Sequence, residues 1–468
     1  MSRINTNVNS LIAQRALARN TESTSQSLQR LSTGLQINSG KDDPAGLIAS
    51  ENLRQEQTGI TTAISNAQRA GNVIGTAEGG LSEVSGLLNQ LQGLVGQSAN
   101  SGGLSTDEIA ANQSQVDTIL STINRIAGST NFNGEKLLNG NLGYTTSGVV
   151  GANVNALQVN AALLPANAAT NIVIGVTQSA QTATVGYGNG ALAAGNNVTL
   201  EISGIAGTQQ VSVAGGSTVA NIISAVNTVK SATGVSATAS GTALRLDSTS
   251  FGSKQFVNLK TVSGTFVPTA TSASGRDAKV TVNGAAAQVD GLSAKLSTSN
   301  FDLSFNVGSA INTSTGTTSF YITGGGAQFA LGSRVTETDK AAIGISSVTT
   351  GSLGDSVTGF ISSLASGQAN QLSSKSLTGA QSIISEAVKQ VSTLRGRLGA
   401  FQKFTINSTV NNLGVAYENA SAAESAIRDT DFASQTAALT RSQILSQAAT
   451  TVLSQANSSP QQALKLLQ

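Results

Sequence analysis

The chain has 468 residues, enough for two or three domains, with a formal net charge of +2 and only 11% charged residues. It contains no Cys and no His, which removes disulfides, Cys-based zinc sites, thiol catalysis, and the commonest general base and metal ligand together. There is no basic block, aromatic residues are 3% and Trp is absent, so neither nucleic acid nor a stacked sugar platform is indicated.

What remains is rich in Gly, Ala, Ser, Thr, Asn and Gln, small side chains suited to packing helices and sheets into a structural polymer. No apolar run reaches the roughly 18 residues of a membrane span. The opening "MSRINTNVNSLIAQRALARN" lacks the apolar core of a cleavable signal peptide. That favours a cytoplasmic protein, or one exported by a route needing no such signal.

Residues 5–35 have a helical pattern, with Leu28, Leu31 and Leu35 on one face. "INSGKDDPAGL" follows. Its paired carboxylates, Asp42 and Asp43, could bind a cation, but no further acid lies near in sequence to complete a shell. A helix–loop–helix joint explains more of the residues. Asn38, Ser39 and Gly40 end the first helix, and Pro44 suits the first position of the next. Asp43, before proline, is its cap, while Lys41 and Asp42 stay free for a neighbouring segment or subunit.

From Pro44 to Ala99 a helix about 80 Å long is expected. Its seam reads Ile60, Ile64, Ala67, Gly71 and Ile74. It continues as Ala77, Leu81, Val84, Leu88, Leu91, Val95 and Ser98, with one phase slip expected near Glu78-Gly79-Gly80. "GEKLLNGNLG", after "NFN", is a turn anchored by Leu137 and Leu138. Between about 145 and 342, Val/Thr/Ile/Leu-rich runs alternate with turn residues, as in "NNVTLEISG" and "TTSFYITGGG", and read as strands. "VGYGNG" does not complete a dinucleotide fingerprint and reads as a hairpin turn. Ser217 is the expected cap of one helix, "TVANIISAVNTVK".

The last zone is helical again. Ile384, Val388, Val391, Leu394, Leu398 and Phe401 form one stripe. After a shift, Ile406, Val410, Leu413, Tyr417, Ala420 and Ile427 form another. Residues 432–467 carry Ala438, Ser442, Leu445, Ala449, Val452 and Ala456 at steps of four and three. Two long apolar stripes far apart in sequence are best buried on each other, which brings the chain ends together. A helical structure this thin has too little core to stand alone and needs other copies of itself. The class is α+β: a long antiparallel, coiled-coil-like core from both chain ends, with a mainly β outer domain inserted between them.

"INTNVNSL", "LQRLSTGLQINSGKDDPAGL", "QSAN" and "NFNGEKLLNG" resemble the N-terminal region of bacterial flagellin. "LGAFQKF", "NNLGVAYENASAAESAIRDTDFA" and "RSQILSQAATTVLSQANSSPQQALKLL" resemble its C-terminal region. Within the middle, "DAKVTVNGAAAQVDGLSAKLSTSNFDLSFNV" is similar to a small β motif of flagellins and hook-associated proteins. The resemblance implies a filament subunit exported unfolded through the flagellar type III channel to the cell exterior. It also implies an export chaperone, a filament cap and hook-associated proteins as partners, and no membrane insertion, nucleic acid, cofactor, metal or catalytic residue. It divides the chain into inner-tube helices at 1–42 and 429–468, a long-helix core with a β-hairpin at 43–164 and 343–428, and an outer domain at 165–342. Leu28, Leu31, Leu35, Ile60, Ile64, Ile74, Leu81, Leu88, Leu91, Val95, Leu398, Val410, Leu413, Leu445 and Val452 are the expected packing and polymerisation residues. Flagellins seen by their Toll-like innate receptor carry an Arg-x-Arg-Glu-Leu pattern before "QSAN". Here Gln90, Gln92 and Gly93 occupy its charged places, so weak receptor binding is expected.

Two alternatives stand beside this reading. A hook–filament junction protein shares the helical ends, but the tail "SQANSSPQQALKLLQ" looks like flagellin. A surface adhesin or glycan carrier would use the Ser/Thr-rich middle, whose hydroxyls are equally explained as strand and turn residues. An enzymatic outer domain of the metalloprotease kind needs His ligands, and the chain has none.

Overall fold

The structure is a computed structural model that describes residues 6–100, 103–164, 169–187, 191–241, 243–298, 300–355, 358–373 and 377–465, with side chains as far as 459. Arg3, the last three residues of "VGYGNG" and the end of the C-terminal helical pattern lie outside the described residues. Both chain ends are helical and the middle is sheet-rich, as expected for the α+β class.

Helix α1, Val8–Thr33, opens on Asn7, whose side chain accepts the Ser10 N–H. It closes on Gly34, at φ 74°, where the N–H returns to the Arg30 carbonyl at 2.9 Å. The helix therefore stops well before the expected "NSG". A left-handed glycine satisfies the last carbonyls without side-chain strain and ends the helix on the spot.

Helix α2, Pro44–Ser98, runs for 55 residues. From Ile60 onward its buried positions are Ile60, Ala63, Ala67, Ala70, Ile74, Ala77, Leu81, Val84, Leu88, Leu91, Val95 and Ser98, an unbroken alternation of three and four. The expected slip at 78–80 does not exist. It came from placing Ile64 and Gly71 in the seam, whereas Ala63 and Ala70 are the buried residues and Ile64 and Gly71 lie at its margin. Large side chains attract a hydropathy reading, but a narrow helical seam is filled as well by Ala.

Helix α3, Thr106–Ser129, starts with a reciprocal capping box between Ser105 and Glu108. Its Gln113 donates to the Leu364 carbonyl and accepts the Leu372 N–H, and Asn124 accepts the Thr350 N–H, so one face holds the 350–372 segment. A short hairpin follows, Asn131–Phe132 with Glu135–Lys136. It turns at Asn133 and Gly134, both at positive φ, with Leu137 and Leu138 buried.

The strands form two separate hydrophobic cores, the second built by a stretch of chain inserted between strands of the first. In the first, a five-stranded antiparallel sheet faces a four-stranded one. Ile172, Ile174, Val176, Phe320 and Ile322 meet Leu296, Leu303, Phe305 and Val307 in its core. Strand Val154–Ala162 pairs here with Phe301–Val307, so position 164/165 falls between two strands of this sandwich. The second core lies within 183–266 and packs Val185, Leu200, Ile202, Leu244, Leu246 and Leu259 beneath Ile222 and Val226 of α4, Val219–Thr228. The cap of α4 is Thr218 rather than Ser217. Gln181 and Arg276 pair at the base of this inserted module. Short helices α5, Lys230–Thr233, and α6, Ser309–Ser314, complete the region.

The C-terminal part comprises α7, Leu377–Ala400, a π-helical turn at Phe401–Ile406, α8, Asn407–Arg428, and α9, Phe432–Lys465. The π-turn explains the stripe shift expected between Phe401 and Ile406, because an i→i+5 turn absorbs one extra residue. Two compact units emerge: Met1–Gln68, Ala330–Asp339 and Ile406–Gln468 in one, Arg69–Phe329 and Lys340–Thr405 in the other.

Candidate subunit-contact surfaces

The joint at "KDDP" is structural. Asp43 Oδ1 accepts the N–H groups of Ala45 and Gly46, each at 3.0 Å, and Pro44 is the first helical residue. Asp42 is not free. Its Oδ2 accepts the Asn38 N–H at 3.1 Å, the Ser39 N–H at 2.9 Å and the Ser39 hydroxyl at 3.0 Å. A carboxylate placed after a loop can fold back on that loop's backbone donors, which adjacency in sequence does not show. Lys41 pairs with Glu22 at 3.5 Å, but both are largely exposed, so the pair adds little.

The backbone N–H of Ser39, its hydroxyl and the N–H of Asn38 hold the Asp42 carboxyl below its ordinary value, against a small opposing effect of desolvation. A depressed carboxyl stabilises the fold above its unfolded-state pKa and loses that contribution as pH falls through the folded-state value. The Asp42 side-chain carbon, followed by NMR, is therefore expected to titrate below the Asp of an unfolded peptide. A midpoint at or above the peptide value would contradict the loop geometry.

Helices α1 and α9 run antiparallel. Asn7 donates to the Ala456 carbonyl at 2.7 Å and the Ser10 hydroxyl to Asn457 Oδ1 at 2.8 Å, while at the other end Leu35 bridges Asp429. The inward seam of α1 is Ser10, Ala13, Leu17, Asn20, Thr24, Ser27 and Leu31; that of α9 is Gln435, Leu439, Ser442, Ser446, Ala449, Leu453 and Ala456. These are heptad seams in which small and polar residues outnumber the leucines. Of the expected α1 stripe, Leu31 joins the seam, Leu35 is half-buried beyond the helix end and Leu28 is exposed. Leu445 and Val452 flank the α9 seam and are exposed too, lining with Ile12, Ala13, Ala16 and Ala448 a groove of about 640 Å³.

Other expected contact residues serve the subunit itself. Ile60, Ile74, Leu81, Leu88, Leu91, Val95 and Leu398 are buried, so no other copy can reach them; Val410 and Leu413 are half-buried. Two ion pairs escaped the sequence reading: Arg395 to Glu78 at 2.8 Å, and Arg428 to Glu51 at 2.9 Å. In each, a residue of the C-terminal helices meets one of α2. Only their positions on facing stripes could have suggested them.

Apolar side chains remain uncovered around the thin first unit. Val8, Ile12, Leu28, Ile48, Val415, Phe432, Ile444 and Val452 are each at least half exposed, and this unit holds more than half of the exposed large apolar side chains among the described residues. Among them Ile12, Leu445 and Val452 line one groove, and exposed apolar side chains gathered in this way mark an interaction site. Gln90, Gln92 and Gly93 lie exposed on α2. Among the described residues no group of acidic side chains is placed to hold a metal, and no helix is long and apolar enough to cross a membrane.

Comparison with known proteins agrees with this arrangement. The bacterial flagellin N-terminal helical region matches residues 4–142, and the C-terminal helical region matches residues 381–467. Polar flagellin B/D of Vibrio parahaemolyticus is 31% identical over 464 residues, covering 99% of both chains. The chain belongs to the bacterial flagellin family. B-type flagellin of Pseudomonas aeruginosa is 32% identical over 503 aligned positions, again covering 99% of each chain. As a flagellin, the chain is a structural subunit of the flagellar filament. The two family regions coincide with the helical ends described above, and the β-rich middle lies between them.

Proposed function

We propose that this flagellin polymerises through the exposed faces of its terminal helices, with Leu28, Leu445 and Val452 as direct contacts and Val410 and Leu413 at their margins. The observation that carries the reading is the uncovered apolar surface on the thin helical unit, whose own α1–α9 seams are mostly small or polar. Such a unit gains its missing burial from neighbouring copies, and a heterologous contact that does not close on itself extends into a filament. Residues 1–42 and 429–468 would line the inner tube, 43–164 and 343–428 the wall around it, and 165–342 the outer surface, except that strands Tyr144–Ser147 and Val154–Ala162 go with the 165–342 sandwich whose core they share. The few large buried side chains of the terminal helices suit a chain that leaves the cell unfolded through the flagellar export channel and folds outside it. An export chaperone would cover the apolar face of α9 beforehand, and a cap and hook-associated proteins would meet it at the filament ends.

Electron microscopy of purified protein after addition of filament seeds tests this. Micrometre-long filaments are expected; a chain that stays short or soluble would favour the junction-protein alternative.

The exposed run at Gln90, Gln92 and Gly93 offers neither guanidinium nor carboxylate to a charged receptor surface. Purified monomer is expected to be a weak agonist in reporter cells carrying the Toll-like flagellin receptor. Full potency in that assay would overturn this expectation.

A further inference from the structure

Asn-Gly steps are chemically the least durable in a chain, because glycine leaves its nitrogen unscreened beside the preceding side-chain amide. The sequence holds four. Three lie among the described residues, Asn133-Gly134, Asn139-Gly140 and Asn283-Gly284, and Asn189-Gly190 lies outside them. The structure separates the three. Asn283 Oδ1 accepts the Val173 N–H at 2.8 Å, and its own N–H donates to the Val173 carbonyl at 2.8 Å. Asn139 Oδ1 accepts the Asn141 N–H at 3.1 Å, and the carbonyl just before it, on Leu138, takes the Val348 N–H at 3.0 Å. Both amides are thus held in place by backbone donors. The exposed side chain of Asn133 has no partner among the described residues. It sits at the tip of the hairpin Asn131–Phe132 with Glu135–Lys136, which is only two residue pairs long and joins no larger sheet. So short a hairpin is marginal by itself and opens readily.

We propose that Asn133 is the site at which the folded chain modifies itself by deamidation. The Gly134 nitrogen attacks the side-chain carbonyl carbon of Asn133, Cγ. The new N–Cγ bond closes a succinimide ring, the Cγ–Nδ2 bond breaks, and the amide leaves as ammonia with the proton from Gly134. Water then opens the ring at one of its two carbonyls. Opening at the main-chain carbonyl gives isoaspartate, and opening at Cγ gives aspartate. The first step needs Cγ to swing over the next nitrogen. At Asn283 that movement breaks the bonds to Val173, and at Asn139 the bond from Asn141. At Asn133 it costs only the opening of the short hairpin. Asn133 and Asn283 have nearly the same φ, 51° and 48°, so these bonds, and not the backbone conformation, set the two apart. Isoaspartate adds one atom to the main chain at the turn, which spoils the two-residue geometry that closes the hairpin.

The test holds the native full-length monomer in warm, mildly alkaline buffer, then digests it and maps the peptides by mass spectrometry with electron-transfer fragmentation. Deamidation at Asn133 is expected to run at least about tenfold faster than at Asn139 and Asn283, with isoaspartate as the main product. In urea, where the hydrogen bonds are gone, the three rates should converge. A native rate at Asn139 or Asn283 that equals the rate at Asn133 would overturn the proposal. So would a native chain that reacts at none of the three while the unfolded chain reacts, because the hairpin would then be held as firmly as the sheet. A preference for Asn133 that persists in urea would assign the selectivity to local sequence and overturn it likewise.

Discussion

Leu445→Asp combined with Val452→Asp is expected to stop filament growth while leaving the folded subunit nearly unchanged. Both side chains flank the α9 seam rather than filling it and are exposed at 46% and 57%. In the free subunit the new carboxylates would stay hydrated. In a packed tube each would lose its water, a penalty of several kcal/mol per ion, and each ~1.4 kcal/mol is tenfold in an association constant. The critical concentration for seeded growth should rise by at least about a hundredfold on that arithmetic. Sedimentation of polymer measures the effect, and circular dichroism checks that the helices persist. Wild-type growth by the double variant would remove the α9 flank from the polymer contact. Ala449→Asp makes the complementary variant: Ala449 is 8% exposed in the α1–α9 seam, so it should disturb the subunit itself.

The second large effect separates two adjacent positions of α2. Ala70→Leu is expected to destabilise the fold by about 1–3 kcal/mol, because Ala70 is fully buried and the added carbons overpack the seam. Gly71→Ala should stabilise it by about 0.5–1 kcal/mol, since a Cβ there meets nothing within 4 Å and alanine lowers the entropy lost on forming the helix. Urea unfolding of the two single variants decides the matter. The seam read from hydropathy puts Gly71 inside and leaves Ala70 out, so it predicts a lesser effect at Ala70 and harm at Gly71. The burial pattern predicts the reverse. Gly71→Ala also bears on assembly: if neighbouring copies approach α2 closely at this glycine, the stabilised monomer should polymerise less well.

Much of the architecture was legible before any coordinates. Periodicity alone marked α2, the α7–α8 stripes and even the shift that proves to be a π-turn, because a helix must keep its apolar residues on one side. Asp43 and Pro44 announced the start of α2, since a cap and a prolyl first position act through their immediate neighbours.

Other features depend on what lies across a seam. The α1–α9 pairing uses Ser10, Asn20, Thr24, Ser442 and Ser446, polar residues that no hydropathy scan selects. They pack because the two helices approach closely and because Asn7 and Ser10 find acceptors far along the chain. Asp42 looked available for a neighbour and does accept from Gln26 of α1, but three donors of its own loop bind its other oxygen. In sequence Leu81, Leu88 and Leu398 read as packing or polymer residues without distinction, and only their burial within the subunit assigns them to the first role. Tyr321 and Val173 lie far apart in sequence and share one face only because their strands pair in a particular register. The sequence by itself determined the helical ends, the strand-rich centre, the start of α2 and the family. Tertiary structure decided which apolar residues are left for another copy, because burial belongs to a pair of surfaces and only one of the two is written in any single stretch of chain.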